Sequence, residues 1–494
     1  MSSALYRLKF VLVGCLICSQ AVRCAAQAPE LKMLYPAGGQ AGTTQAVEAT
    51  GKLDAWPVDI WSSCAEADWS CLTESGKLQV QIADNAHPGL YWVRLFNAQG
   101  ASAVQPFLVG SAPLSLETEP NDSLAAATRV NGLPAAFFGL LNKTADVDLF
   151  AIKLEAGQGL SATIDSAKWL SSPADINLQL LDQRGFVLVE NLDHFDLDPY
   201  VDYQAPTTGD YYVRVFGFPV TPNSTIAFSG GSDWIYRLRL QSEPQPFDTS
   251  SDNAQQPSQA AEPTAIGPSK HTAVAQALSL VVPVNASGVI VAAKSTDYVR
   301  FAARGNTQYR MRLTARAYGS ELDPTVAVLD LTGKQLAQQD DLSKNRDPEL
   351  TWKAPADAEY MVAISDFHRQ GGTAYRYWLK IEEVKPDFAV SLTGDLISAQ
   401  VGKESEIVVN IDRQAGYAQP IEVRLEGLPE TIASTHVVSQ PGSDTEKKLL
   451  LKVEAKHPFQ GPIVISAQAV STDAPLRRLA SAPNQKPLWL SVVP

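Results

Sequence analysis

Two stretches of this chain carry the same succession of marker residues in the same order. Asp148-Leu149-Phe150-Ala151-Ile152 is matched by Asp297-Tyr298-Val299-Arg300-Phe301. Asp175-Ile176-Asn177-Leu178-Gln179-Leu180-Leu181-Asp182 is matched by Asp323-Pro324-Thr325-Val326-Ala327-Val328-Leu329-Asp330, with Gly185 and Gly333 following. Asp198-Pro199 and Ala205-Pro206 then answer to Asp347-Pro348 and Ala354-Pro355, and Tyr211–Val215 to Glu359–Ala363. Asp and Gly mark strand ends and turns, and Pro has no N–H to give to a ladder. A repeat of this kind requires two copies of one folding unit within the chain.

The segments between these markers are short and alternate apolar with polar or outward residues. Tyr91-Trp92-Val93-Arg94-Leu95-Phe96 and Tyr211-Tyr212-Val213-Arg214-Val215-Phe216 are examples, and 32 Pro and 31 Gly punctuate the chain. Period-two alternation over such lengths predicts strands, and no long stretch has a helical period. The expected fold class is therefore all-β, a multidomain string of β-sandwiches. At 494 residues the chain has room for several domains of about 100–150 residues. We expect a first module over 27–112, a second over 113–243, a Pro/Gln/Ser/Ala-rich flexible linker over 244–277, a third module over 278–385 and a fourth over 386–494. In the fourth, strands are expected at Glu406–Ile411, Ile421–Leu425, Lys448–Glu454 and Ile463–Ala469.

The first 26 residues predict export. Arg7 and Lys9 precede an apolar run from Phe10 to Cys18, and Cys24-Ala25-Ala26 offers small residues for cleavage before Gln27. Leu12-Val13-Gly14-Cys15 also has the form of a lipoprotein box, though the apolar stretch before Cys15 is very short. The run falls short of the ~20 residues of a spanning helix, and no later segment is a candidate, so the chain is not expected to span a membrane. The expected location is secreted, periplasmic or at the cell surface. Five cysteines are present. Cys15, Cys18 and Cys24 leave with the signal peptide, and Cys64 and Cys71 are expected to form a disulfide in an oxidising compartment. Net charge is −13, with 53 acidic against 40 basic residues. That balance argues against nucleic acid and is compatible with divalent cations.

The second module resembles the bacterial pre-peptidase C-terminal domain, a β-sandwich often attached to secreted proteases and related to collagen-binding modules. The residues that carry the resemblance are Glu117-Thr118-Glu119-Pro120-Asn121-Asp122, Asp146-Val147-Asp148-Leu149-Phe150 and the Gly209-Asp210-Tyr211-Tyr212 strand. The third module resembles it in degenerate form. The first, from its Tyr35-Pro36-Ala37-Gly38-Gly39 opening, resembles immunoglobulin-like modules of the IPT/TIG type, and the fourth is expected to be immunoglobulin-like as well. The pre-peptidase resemblance implies a calcium site at Glu117, Glu119, Asn121, Asp122, Asp146 and Asp148. The residue types suit it: calcium takes six to eight oxygen ligands, and alternate residues of an extended segment share a face. The bland alternative is a turn with solvated carboxylates. In the third module, the region expected to correspond, Ala275 to Val284, lacks acids, and only Asp297 is kept.

Asp193-His194-Phe195-Asp196-Leu197-Asp198 is a turn or a second metal site, and Asp340-Asp341 is expected in the equivalent loop. Trp56, Trp61 and Trp69 are expected to pack on the cysteine bridge, with sugar or partner gripping as the alternative. The six His are scattered, and HExxH, GxSxG, P-loop and dinucleotide motifs are absent. The expectation is a non-enzyme: an extracellular binding or adhesion scaffold for a protein or polysaccharide. The alternatives are an accessory or targeting subunit of a separately encoded secreted hydrolase, or a carbohydrate-binding protein.

Overall fold

The structure is a computed structural model and describes residues 27–194, 197–218, 228–242, 264–266, 272–316, 320–340, 347–470 and 475–494. The signal peptide with Cys15, most of the expected linker, and Phe195, Asp196 and Asp341 lie outside the described residues. The chain is all-β, as its alternation requires. No described helix is long and apolar enough to cross a membrane.

The strands group into four units. In the first, strands Glu30–Tyr35, Thr44–Lys52, Lys77–Ile82 and Ala67–Cys71 form one sheet. Gly38–Gln40, Gln105–Gly110, Gly89–Asn97 and Asp59–Ser62 form the facing one, and Leu78, Val80, Val93, Leu95 and Phe107 fill the space between. In the fourth, Lys448–Ala455 shows how pattern becomes core: Leu449, Leu451, Val453 and Ala455 point inward and the residues between them outward. Each fully buried Leu or Val contributes about 1.5–3 kcal/mol of transfer free energy.

The two middle units repeat one topology. In the second unit one sheet runs Leu114–Leu116, Ala135–Leu140, Ile235–Gln241, Gly159–Asp165, Tyr200–Gln204. The other runs Thr128–Arg129, Val147–Leu154, Gly209–Phe218, Asp175–Leu181, Val187–Asn191. The third unit has the same order, strand for strand. Marker residues do the same work in both copies. Asp182 and Asp330 each accept two backbone N–H groups across a turn closed by Gly185 and Gly333, which sit at φ 86° and 87°. Asp198 and Asp347 accept the backbone N–H groups of Ser166, Ala167 and Lys168, and of Ala315 and Arg316, respectively.

Three expectations are corrected. Tyr211 pairs with Ile152 and Tyr360 with Phe301, so Tyr211 answers to Tyr360 and the last matched strand shifts by one residue. The third unit starts earlier than residue 278: Thr264–Ala265 pairs in parallel with Ala286 and Ser287, and Val274–Gln276 forms a 3-10 turn. Cys64 and Cys71 are free thiols. Cys64 lies beside Ala67 at one end of strand Ala67–Cys71, and Cys71 donates to the Val58 carbonyl (3.2 Å) at the other end. Four residues of strand span about 13 Å, beyond the ~7 Å over which two Cα atoms can be bridged. Burial pushes both thiols up from their ordinary pKa.

The first and second units share a small apolar cluster of Met33, Ala37, Leu108, Phe138, Leu170 and Ile235. A Cβ on Gly38 would lie 2.3 Å from the Leu108 carbonyl and 2.8 Å from the Phe138 ring, so glycine is needed where the two pack.

Candidate metal centre

Glu117 follows the edge strand Leu114–Leu116, and its backbone N–H still bonds Phe138 O (3.0 Å). Its Oε1 accepts the Leu140 N–H at 2.6 Å, which fixes the carboxylate over the sheet. The chain then crosses the end of the sandwich. Leu149 donates to Asn121 O (3.2 Å), tying the Glu117–Asp122 segment to the strand that carries Asp148. Within the segment the Asn121 N–H bonds Glu119 Oε2 (3.1 Å), and its side-chain amide reaches Glu117 Oε2 (3.4 Å). Asp146 Oδ2 accepts the Asn142 N–H (2.6 Å) at the turn leading into Val147–Leu154.

All six expected residues are thus brought to one end of the second unit. Carboxylate oxygens of Glu117, Glu119 and Asp148 lie within 4.8 Å of one another, and so do those of Glu119, Asp122 and Asp146. Glu119 belongs to both groups. Asn121, Asp146 and Asp148 are fully buried, whereas Glu119 and Asp122 are exposed. Three buried oxygens, Asn121 Oδ1, Asp146 Oδ1 and Asp148 Oδ1, accept no hydrogen bond. Lys143 Nζ lies 3.3 Å from Asp146 Oδ1 and 3.9 Å from Asp122 Oδ2.

The electrostatics follow from that imbalance. Burial, then the Glu117 charge, pushes the Asp148 carboxyl up to about 10. Glu117 is likewise raised by burial. The Tyr236 hydroxyl donates to Asp148 Oδ2 (2.6 Å) and lies 3.1 Å from Glu117 Oε2. Its pKa rises well above 10, from burial first and these two carboxylates next. Tyr35 of the first unit is also raised, by burial and then by Glu117, Asp148 and Glu119. Its hydroxyl reaches the Phe138 carbonyl at 3.4 Å.

A divalent cation fits this donor set. Every candidate ligand is oxygen, the preference of Ca²⁺. Orphaned buried acceptors of this kind need a partner. Glu117, Glu119 and Asp148 would hold it together with Asp122, Asp146 and the Asn121 side chain.

Sequence reasoning missed Tyr236, Asn142 and Lys143. Tyr236 had a signal: Gly139, Asp148 and Tyr236 recur as Gly288, Asp297 and Tyr377. A Cβ on either glycine would lie 2.1 or 2.3 Å from the tyrosine side chain, and Tyr377 donates to Asp297 at 2.7 Å.

The third unit keeps this scaffold and, of the donors, Asp297 in the place of Asp148. By register, Ile266 stands where Glu117 stands, since Glu117 N bonds Phe138 O and Ile266 N bonds Ser287 O at matching strand positions. Ser295 stands for Asp146. The corresponding segment is therefore the one around 264–266 and not Ala275–Val284. Ile266 is buried in the core.

The remaining candidates resolve otherwise. Asp198 caps the turn at 166–168, and burial raises its carboxyl to about 7. His194 stacks on Tyr200 at 4.8 Å, and burial lowers its pKa to about 4. Among the described residues, neither belongs to a group of convergent metal ligands. Trp69 packs edge-on to Phe107 (4.8 Å), Trp56 donates to Leu72 O (2.8 Å), and Trp61 meets Trp489 of the fourth unit (5.6 Å). None packs on a cysteine bridge, because that bridge is not formed.

Residues 146–217 match the family described as the bacterial pre-peptidase C-terminal domain. The second module is a domain of that family. The match begins at Asp146, so the Glu117–Asp122 segment precedes it. Among solved structures, this chain is similar to the pre-peptidase C-terminal domain of a collagenase from Bacillus anthracis, 13% identical over 25% of this chain and 99% of that one, with a TM-score of 0.19. Another is PliG of Aeromonas hydrophila, a periplasmic inhibitor of g-type lysozyme, 13% identical over 26% of this chain and 97% of that one, TM-score 0.17. No curated protein matches the chain.

Proposed function

We propose that the chain is a non-catalytic extracellular binding scaffold whose pre-peptidase module is stiffened by one calcium ion at Glu117, Glu119, Asn121, Asp122, Asp146 and Asp148. The observation that supports the ion is the convergence of five carboxylates, two of them fully buried, with the buried Asn121 Oδ1 and Asp148 Oδ1 accepting no hydrogen bond and Lys143 pairing with Asp146 at 3.3 Å. The ion would neutralise them and pin the 117–122 segment across the end of the sandwich, next to the joint with the first module. The scaffold reading rests on the family of the second module and on the all-β architecture around it. Its partner is an extracellular protein or polysaccharide.

Isothermal titration of the chelator-treated full chain with CaCl₂ and MgCl₂ tests the metal. One calcium per chain is expected, lost in Asp148→Asn and in Glu117→Gln. No heat with either cation, or equal heat in both variants, refutes it. Sedimentation with insoluble collagen and cell-wall polysaccharide tests the scaffold, and retention on neither removes that part of the reading.

A further inference from the structure

Away from the candidate metal centre, a buried charge pair joins the first module to the fourth. Arg94, in strand Gly89–Asn97, has no exposed side chain. Its guanidinium donates to the Ser102 carbonyl in its own module and to Asp395 Oδ2 of the fourth. It also lies over the Trp489 ring, 5.4 Å from the centroid. Trp489 is 1% exposed but is not among the residues of the fourth module's core. The first module covers it: Trp61 packs edge-on at 5.6 Å and Phe96 lies tilted against it at 5.2 Å. Within its own module its indole N–H bonds Gln460 (3.2 Å) and its backbone N–H bonds the Asp395 carbonyl (2.8 Å). At the rim, Lys486 lies 5.8 Å from the Trp92 ring, and a Cβ on Gly100 would stand 3.0 Å from Ala28 and 3.8 Å from Ser491.

We infer that the fourth module is the dedicated partner of the first module's Trp61–Arg94–Phe96 face, and that this contact permanently closes the four-module chain on itself. A guanidinium taken out of water needs charged and carbonyl acceptors in its place; here the carboxylate comes from the fourth module and the carbonyl from Ser102, and Nε alone has no partner. An Arg and a Trp at the centre, ringed by lesser contacts that exclude water, have the composition of an interface hot spot. The first module shares its opposite contacts with the second through the Met33–Phe138 cluster, so the chain is a ring of modules rather than an open string. Of the three tryptophans that the sequence offered as a sugar or partner grip, Trp61 is therefore taken by the chain itself.

Small-angle scattering of the full chain tests this, with hydrogen exchange read at 95–101 and 489–493. The variants are Arg94→Ala, Asp395→Lys and the double change Arg94→Met with Asp395→Leu. Asp395 keeps partial exposure, so its replacement spares the fourth module's core. The single variants are expected to increase the radius of gyration and maximum dimension and to lose exchange protection in both segments, with circular dichroism unchanged. The apolar pair should restore the closed dimensions. An extended wild-type profile, or single variants that scatter and exchange like the wild type, overturns the inference. Loss of the circular dichroism signal in Arg94→Ala leaves Asp395→Lys to decide.

Discussion

Replacing Asp148 by Asn should make the metal-free protein more stable while abolishing its response to calcium. Asp148 is fully buried and shares the Tyr236 hydroxyl with Glu117. Without metal its carboxyl is held at about 10 against an ordinary 3.8, by burial first and Glu117 second. The folded chain then binds this proton more tightly than the unfolded chain. Stability present below pH 3.8 is lost progressively as pH rises towards 10. Between 3.8 and 7 lie just over three pH units, which at about 1.4 kcal/mol each amount to about 4 kcal/mol. Asparagine cannot ionise and still accepts from Tyr236, so in chelator at pH 7 the variant should exceed the wild type by up to about 4 kcal/mol. At pH 5, closer to the ordinary carboxyl value, the gap should shrink by more than half. A thousand-fold excess of calcium over its Kd stabilises the wild type by about 4 kcal/mol by mass action. The variant lacks a charged ligand, so the gap should close. Urea unfolding of the second module's transition, in chelator at both pH values and in calcium at pH 7, measures all of this. A variant less stable than the wild type in chelator, or a gap independent of pH, would refute the reasoning.

Further expectations concern the scaffold. Asp198, raised to about 7 mainly by burial, should make stability fall as pH rises from about 4 to 7, and Asp198→Asn should flatten that slope in a pH series of urea midpoints. Gly139→Ala and Gly288→Ala should each destabilise by about 1–3 kcal/mol or more through overpacking against Tyr236 and Tyr377. Only Gly139→Ala should also weaken calcium binding by titration calorimetry, because Tyr236 orients Asp148. A reductant should leave the melting temperature unchanged and both thiols should react with Ellman's reagent on unfolding, since Cys64 and Cys71 are free. A reductant-sensitive melting curve would restore the bridge.

Much of the candidate metal centre was legible because its candidate ligands sit in two short, contiguous runs. Glu117–Asp122 and Asp146–Asp148 declare oxygen donors locally, whatever brings them together. Tyr236 was not legible as a participant, because a tyrosine alternating in a strand looks like core and only the Gly139 contact across the sheet gives it a second role. The third copy shows the same limit from the other side. Its first strand has only two residues after a polar stretch, so composition placed it in a linker, and only parallel pairing with Ala286 and Ser287 reveals that Ile266 replaces Glu117.

The sequence by itself determined the all-β class, the repeat and the identity of the candidate ligands. Period-two alternation and turn residues act over a few neighbours, and ligand chemistry is carried by single side chains. Tertiary structure decided what depends on distance across the fold. It kept Cys64 and Cys71 at opposite ends of one strand, left Asp148 buried beside Glu117, and buried Arg94 against a carboxylate in the fourth module. Distances of that kind are set by packing between segments far apart in the chain, and no local pattern encodes them.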